Sequence, residues 1–240
     1  MDASLISTRR GGGAAAEPII RLSDVHLSLS SRAGTVDILR GIDLDIAKGL
    51  SVGIVGPSGS GKTTLLMAIG GLERITGGTI RVAGQDLSHM DEDALARFRR
   101  DNVGIVFQSF HLIATMTALE NVAVPLEFRG LDDAFERSRA ELERVGLGHR
   151  LDHYPGQLSG GEQQRVAIAR AVAAGAAMVM ADEPTGNLDQ QTGQEIMDLL
   201  FALPRDHGTT LLLVTHDRVL ADACDRVIEI RDGRITAGGQ

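Results

Sequence analysis

A glycine-rich loop carries the clearest chemical signal in this sequence. The loop Gly56-Pro57-Ser58-Gly59-Ser60-Gly61-Lys62-Thr63 follows the apolar run Ser51–Val55 and precedes a helix-like stretch, Thr64–Ile69. Glycines in such a loop let backbone N–H groups turn toward an anion, and the N-terminus of the next helix adds partial positive charge. Lys62 can reach the β- and γ-phosphates of a nucleotide, and the Thr63 hydroxyl can ligate Mg²⁺. The loop, extended to Thr64, therefore predicts a site for a nucleoside triphosphate with Mg²⁺.

Further apolar runs, which we interpret as strands, are each followed by a polar side chain. These are Gln108 after Val103–Phe107, Asp182 and Glu183 after Met178–Ala181, and His216 after Thr209–Val214. Ligands of open α/β sheets bind at the carboxyl ends of the strands. An aspartate there can hold Mg²⁺, and the next carboxylate can deprotonate the attacking water. By themselves such residues are usually solvated surface or the edge of a core, so the phosphate loop decides this interpretation.

Composition limits the alternatives. The chain of 240 residues suits one large α/β domain or a core with an inserted subdomain, and its net charge of −8 argues against a nucleic-acid partner. The lone Cys224 excludes an internal disulfide and suits a reducing compartment. The apolar stretch Ala171–Ala181 is far shorter than the roughly 20 residues of a membrane span. Residues 1–17 lack the apolar core of a signal peptide, so we expect a disordered tail before a domain over 18–240.

A second motif can also face a phosphate. The segment Leu158-Ser159-Gly160-Gly161-Glu162-Gln163-Gln164-Arg165 resembles the signature motif of ABC-type ATPases. Ser159 is placed to cap a helix that runs through Ala171, and Gly160 and Gly161 allow a close backbone approach to a γ-phosphate. The alternative is an ordinary capped helix, because Ser159 and Glu162 also have the spacing of a capping box.

From about Ile19 onward the chain resembles ABC ATP-binding subunits, since their motifs occur here in order. They are the Walker A loop Gly56–Thr63, the Q-loop Gln108, the signature Leu158–Gln163, the Walker B strand Met178–Asp182 with Glu183, the D-loop Asn187-Leu188-Asp189 and the switch His216. The resemblance implies catalytic roles for Glu183, His216, Gln108 and Lys62, and Mg²⁺ contacts from Thr63, Gln108 and Asp182. It also implies a head-to-tail dimer with two ATP molecules at its interface. The residues that it implies as further nucleotide contacts, with the signature serving the ATP held by the partner subunit, are Ser159, Gly160, Gly161, Glu162 and Asp189.

Within this family the run Ala181–Asp189 is similar to the group of LolD, MacB and FtsE. Three other stretches resemble the YbbA-type ATPase of Gram-negative bacteria: Gln108–Ile113 with Ala118–Val122, Arg150–His153 and Asp206–Thr210. The resemblance implies a cytoplasmic ATPase, peripheral on the inner membrane, that powers a separate permease subunit for hydrophobic or lipid-linked substrates. Two alternatives stay open. One is an FtsE-like regulator of periplasmic enzymes without translocation, and the other is an ABC protein acting on ribosomes or DNA, which typically has two fused cassettes.

One departure from the family concerns the adenine site. Family members usually stack the base on an aromatic residue before the phosphate loop, whereas the aligned position here is Leu29 and no aromatic residue precedes Phe98. We therefore expect the adenine to pack on Leu29, His26 or Val36, with weakened selectivity for the base.

The predicted fold class is α/β, with a RecA-like P-loop NTPase core, an antiparallel β subdomain near the N-terminus and a helical subdomain over roughly 109–165. In that subdomain one helix face is predicted to contain Leu131, Phe135, Leu142 and Val145. The segment Ser109–Asn121 is the expected docking surface for the permease. Its apolar residues could instead be core; these are Phe110, Leu112, Ile113 and Met116.

Overall fold

Ten strands and seven α-helices form the part of the chain that the computed structural model describes, residues 17–31 and 34–238. The strands are β1 Ile20–Ser31, β2 Gly34–Ile46, β3 Ser51–Val55, β4 Gly77–Val82, β5 Gln85–Asp86, β6 Val103–Phe107, β7 Met178–Asp182, β8 Thr210–Val214, β9 Arg226–Arg231 and β10 Arg234–Ala237. The helices are α1 Lys62–Ile69, α2 Glu92–Asn102, α3 Ala118–Phe128, α4 Ala134–Arg144, α5 Gly160–Ala173, α6 Gln190–His207 and α7 Arg218–Asp222. The predicted tail lies outside the described residues except for Glu17.

The central sheet has the order β10-β9-β3-β8-β7-β6, and all its pairings are parallel except that of β10 with β9. Strands β3 and β8 are buried along their whole length, as expected for a parallel sheet covered on both faces. The predicted α/β core is confirmed. The last of the four predicted strands, β8, begins at Thr210 rather than Thr209. Helix α1 begins at Lys62 rather than Thr64, with Gly61 as its N-cap residue.

A second, antiparallel sheet has the order β2-β1-β4-β5, which confirms the predicted β subdomain. Along β2, Ile42, Leu44 and Ile46 are buried while the residues between them are exposed, the alternation of a strand with one solvated face. The buried face joins the same hydrophobic cluster as Leu65 and Ile69 of α1. This packing brings β2 beside the phosphate loop.

The helices α3, α4 and α5 pack around a separate hydrophobic cluster that includes Val122, Leu142 and Val166. Helix α5 also crosses β6 very closely, because a Cβ atom on Gly104 would lie 2.2 Å from the Ala171 carbonyl oxygen. One prediction for this region is wrong. Phe135 is not buried with Leu142, since it lies in the first turn of α4 and 47% of its surface is exposed.

The loop between β6 and α3 is organised by Asn121, whose side chain is fully buried. Its Oδ1 accepts from the Ile113 N–H at 2.8 Å, and its Nδ2 donates to the carbonyls of Ile113, Met116 and Thr117 at 3.1, 3.0 and 3.0 Å. The main chain of Ile113 is held by these bonds, and Ile113 is 39% exposed to solvent. No helix in the described part of the chain combines the length and the apolarity that crossing a bilayer requires.

We expect Asn121→Ala to lower the free energy of unfolding, because each buried polar group left without a partner costs roughly 1–3 kcal/mol. Thermal and denaturant unfolding of the purified chain would measure the loss. Glu127→Ala, at an exposed position of the same helix, is the matched control and should unfold like the parent. An Asn121→Ala variant as stable as the control would contradict this account of the loop.

Candidate functional site

The phosphate loop uses the backbone conformations that its glycines allow. Gly56 has a φ of 151°, and a Cβ atom on it would lie 2.1 Å from the Ile230 carbonyl oxygen, so only glycine fits there. Gly61, with a φ of 103°, is the residue from which α1 starts. The Ser60 hydroxyl is buried and has no hydrogen-bond partner in the described part of the chain. The ammonium of Lys62 donates to the Gly56 and Pro57 carbonyls at 2.9 and 2.8 Å, so it lies over the loop.

A cavity of about 500 Å³ opens in front of this loop. The predicted residues that line it are Gly56, Ser58, Gly59, Gly61, Lys62, Thr63, Thr64, Asp182, Glu183 and His216. They come from the carboxyl ends of β3, β7 and β8 and from the start of α1. Residues far apart in the sequence thus surround one space with a loop of backbone N–H groups on one side and two carboxylates on the other.

The pair Thr63 and Asp182 fits a magnesium ion. The Thr63 hydroxyl lies 3.1 and 3.3 Å from the two Asp182 carboxylate oxygens. Burial raises the pKa of Asp182; the Thr63 hydrogen bond opposes this, and the Glu183 charge adds to it. A bound cation would offset the cost of that buried charge. One hydroxyl and one carboxylate suit Mg²⁺, which usually binds through one or two carboxylates together with substrate phosphates and keeps several waters.

Glu183 and His216 form a pair at the cavity wall. The distance from His216 Nδ1 to Glu183 Oε2 is 2.9 Å, and the Glu183 N–H donates to the Val214 carbonyl at 3.0 Å. Glu183 has a φ of 47°, a conformation that costs a non-glycine residue energy and often occurs at functional sites. The imidazole thus contacts the carboxylate of Glu183, while the hydrogen bond to β8 fixes the backbone of Glu183.

Gln108 does not line this cavity. It follows the last residue of β6. Its side-chain Nε2 donates to Asn187 Oδ1 at 3.1 Å, and its main-chain carbonyl accepts from Asn187 Nδ2 at 3.1 Å. A Cβ atom on Gly186 would lie 2.6 Å from that Nε2. The structure therefore joins Gln108 to the segment after Glu183, next to the end of β7 with Asp182 and three strands from β3, which precedes Thr63.

The signature segment also lies outside the cavity, as judged from the described lining residues. Ser159 and Glu162 form a complete capping box at the start of α5, and Arg150 Nε donates to the Glu162 carboxylate at 2.9 Å. Cβ atoms on Gly160 and Gly161 would lie 3.2 Å from Leu188 Cδ2 and 2.4 Å from Thr192 Cγ2. The two glycines therefore allow α5 to lie against the D-loop and the start of α6.

Asp189 of the D-loop caps helix α6. Its carboxylate accepts from the Thr192 N–H at 3.0 Å and from the Thr192 hydroxyl at 2.6 Å. These hydrogen bonds from Thr192 lower the pKa of Asp189. Asp189 therefore has a structural partner within its own chain and lies beside the signature glycines rather than in the cavity.

The predicted adenine contacts form the exposed end of the β1–β2 hairpin. Leu29 and Val36 pair directly in register and are 48% and 56% exposed, whereas His26 contacts Asp24 at 3.0 Å. The residue that lines the cavity is Ile38, which the sequence did not single out. The alternation of β2 could have found it, because side chains two apart on a strand share a face and Ile38 follows Val36 at that spacing.

Comparison with known proteins agrees with this geometry. Residues 39–186 match the ABC transporter family. The chain is 50% identical over 222 residues to the uncharacterized ABC transporter ATP-binding protein YbbA of Escherichia coli K12, covering 92% of this chain and 97% of YbbA. It is 49% identical over 220 residues to the macrolide export ATP-binding/permease protein MacB of the same organism, covering 91% of this chain but 34% of MacB.

A solved dimeric ATP-binding cassette, in a post-hydrolysis state with ADP and Pi, is 40% identical and superposes with a TM-score of 0.83, covering 91% of this chain and 97% of that structure. The order of the motifs, the cavity that they form and these matches agree. The chain belongs to the ABC transporter family and is an ATP-binding, ATP-hydrolysing cassette.

Proposed function

We propose that this cassette works as a head-to-tail dimer that sandwiches two ATP molecules and powers a membrane permease. The observation that carries the proposal is the separation of the two phosphate-facing motifs. Lys62, Asp182 and Glu183 line one cavity, whereas Ser159 lies on α5 outside it. The signature of a second copy would then complete each cavity. The dimeric cassette with bound ADP and Pi supports this arrangement.

In this proposal the loop N–H groups and Lys62 bind the phosphates, and Lys62 exchanges its carbonyl partners for phosphate oxygens. Thr63 and Asp182 hold Mg²⁺, with Gln108 as a further contact to the metal or the attacking water. When bound, Mg²⁺ neutralises developing charge on the phosphate oxygens. Glu183 accepts a proton from the attacking water, and His216 fixes its carboxylate and faces the γ-phosphate. Leu29, Val36 and Ile38 form an aliphatic surface for the adenine.

For the partner, we propose a permease encoded as a separate protein. MacB is named as an ATP-binding/permease protein, and this chain matches about a third of it, whereas it matches nearly all of YbbA, which is named for ATP binding alone. MacB's macrolide export supports a hydrophobic or lipid-linked substrate. Because ATP is supplied in the cytoplasm, we propose attachment to the cytoplasmic face of the inner membrane. The exposed Ile113 supports docking through the segment 109–121.

Replacing the proposed general base tests the chemistry. We expect Glu183→Gln to slow ATP hydrolysis by roughly 10²–10⁴-fold while preserving ATP binding, because the amide cannot accept the proton. Steady-state phosphate release would measure the rate, and size-exclusion chromatography with ATP would show dimer accumulation. The exposed Glu73→Gln is the matched control and should hydrolyse like the parent. Parental hydrolysis by Glu183→Gln would remove Glu183 from the mechanism.

Mixing two inactive variants tests the shared site. Lys62→Ala removes the phosphate-loop lysine from a composite site, and Ser159→Arg blocks the signature that the other chain contributes to that site. In either homodimer both sites are damaged, so each should be inactive. A mixed dimer has one intact composite site and should regain partial ATPase activity. Ser159→Thr, which keeps the capping hydroxyl, is the control and should stay active. A Ser159→Arg protein that is fully active as purified would refute the composite site.

The adenine contact gives a third test. We expect Leu29→Tyr to tighten ATP binding by up to about 1–3 kcal/mol, the contribution of stacking a base on an aromatic ring. Equilibrium titration with ATP would measure the change, and GTP should compete well in the parent. Leu72→Tyr, at another exposed leucine, is the control. If Leu29→Tyr binds ATP with parental affinity, the base lies elsewhere.

A further inference from the structure

Arg170, near the C-terminal end of α5, is a partly buried cation with an unusual set of partners. Its Nη1 donates to the His111 carbonyl at 2.7 Å and its Nη2 to the Phe110 carbonyl at 2.9 Å. No carboxylate within the described ranges pairs with it, whereas Arg165 on the same helix pairs with Glu195. Burial lowers the pKa of Arg170, which reflects the cost of removing its charge from water. Among the described residues, the hydrogen bonds that offset this cost go to the two backbone carbonyls.

The two carbonyls belong to a strained turn. Phe110 has a φ of 59° and His111 a φ of 48°, both in the left-handed region that glycine adopts freely and other residues do not. The turn is tight, because the His111 N–H donates to the Ser109 carbonyl at 2.6 Å. Consecutive residues in this conformation persist only when surrounding contacts hold them. The planar guanidinium of arginine, with its fork of donors, can hold both carbonyls at once.

The strained turn begins two residues after Gln108. On the other side, the amide of Gln108 is fixed by Asn187, and Gly186 lies against it. Gln108 therefore lies between the D-loop, which binds its side chain, and the turn whose carbonyls accept hydrogen bonds from Arg170. Because Gln108 is two residues from the turn, a change in the turn would shift the backbone of Gln108.

We propose that Arg170 is a positioning residue for ATP hydrolysis, whose guanidinium holds the strained Phe110–His111 turn and thereby sets the place of Gln108. The inference rests on the proposed function, in which Gln108 contacts Mg²⁺ or the attacking water. Arg170 itself touches neither. A purely structural arginine, which only ties α5 to a loop, would contribute to stability without affecting the metal dependence of the reaction.

The dependence of ATPase activity on Mg²⁺ distinguishes the two roles. We expect Arg170→Met to raise the Mg²⁺ concentration for half-maximal activity by about 10–100-fold, the usual effect of losing a group that orients a metal contact. Binding of a fluorescent ATP analogue in EDTA should be unchanged. Arg170→Lys, which keeps the charge but loses the fork, should give a smaller shift. If Arg170→Met does not fold, the Mg²⁺ profile of Arg170→Lys tests the proposal instead. A parental Mg²⁺ profile in a folded Arg170 variant would overturn the proposal.

Two further variants locate the effect. His111→Gly removes strain from the turn, so Arg170→Met should shift the Mg²⁺ profile less in that background than in the parent. An equal shift in both backgrounds would overturn the proposal. Arg129→Met is the matched control, because Arg129 also donates to a backbone carbonyl, that of Ala174, away from the turn. It should keep the parental Mg²⁺ profile, and a shift like that of Arg170→Met would overturn the proposal.

Gln108→Ala separates this inference from the proposed function. It should shift the Mg²⁺ profile like Arg170→Met, and the double variant should show no added shift. If Gln108→Ala behaves like the parent, the proposed role of Gln108 fails and the inference fails with it. If Gln108→Ala shifts and a folded Arg170→Met does not, only the inference fails.

Discussion

The parallel register of the central sheet is the constraint on which the site depends. Phe107 pairs with Asp182, Asp182 with Val214, and Ile54 with Val214, so the four strands end at nearly the same level. The chain leaving each strand therefore enters the same region, and groups more than a hundred residues apart come into contact. Thr63 and Asp182 meet in this way at 3.1 Å. A slip of one residue in β7 would turn Asp182 toward the opposite face of the sheet.

Close backbone approach, made possible by glycine, joins the motifs outside the cavity. Gly104 lets α5 cross β6, Gly161 lets the start of α5 lie on Thr192, and Gly186 admits the side chain of Gln108. These contacts link the signature helix to the Q-loop and the D-loop within one chain. Gln164 of α5 adds a hydrogen bond from its Nε2 to the Pro184 carbonyl at 2.7 Å, next to Glu183.

This linkage gives the proposed dimer a physical route for coupling its two sites. The segment that would face the partner's nucleotide, at Ser159, is packed against the segment that follows the chain's own Glu183. We expect a displacement of one segment to displace the other, since closely packed interiors transmit strain. Both strained positions adjoin this contact, since Glu183 precedes Pro184 and a Cβ atom on Gly160 would lie 3.7 Å from Phe110 Cζ.

The sequence by itself determined the phosphate loop, the strands that end at Asp182 and directly before Gln108, and the capping box at Ser159. Each of these depends on residues close together in the chain, where glycine conformation, strand period and capping geometry act locally. The order of the motifs supported the family resemblance, which added the expected roles of Gln108 and His216. Only the tertiary structure decided that Gln108 pairs with Asn187 and that Arg170 donates to the Phe110 carbonyl. It also decided that Ile38 lines the cavity and that Phe135 is exposed. Those outcomes depend on contacts between residues 60 or more positions apart, as for Arg170 and Phe110, or on which face of a helix finds a neighbour. Local periodicity contains no information about such partners, because packing between distant segments sets them.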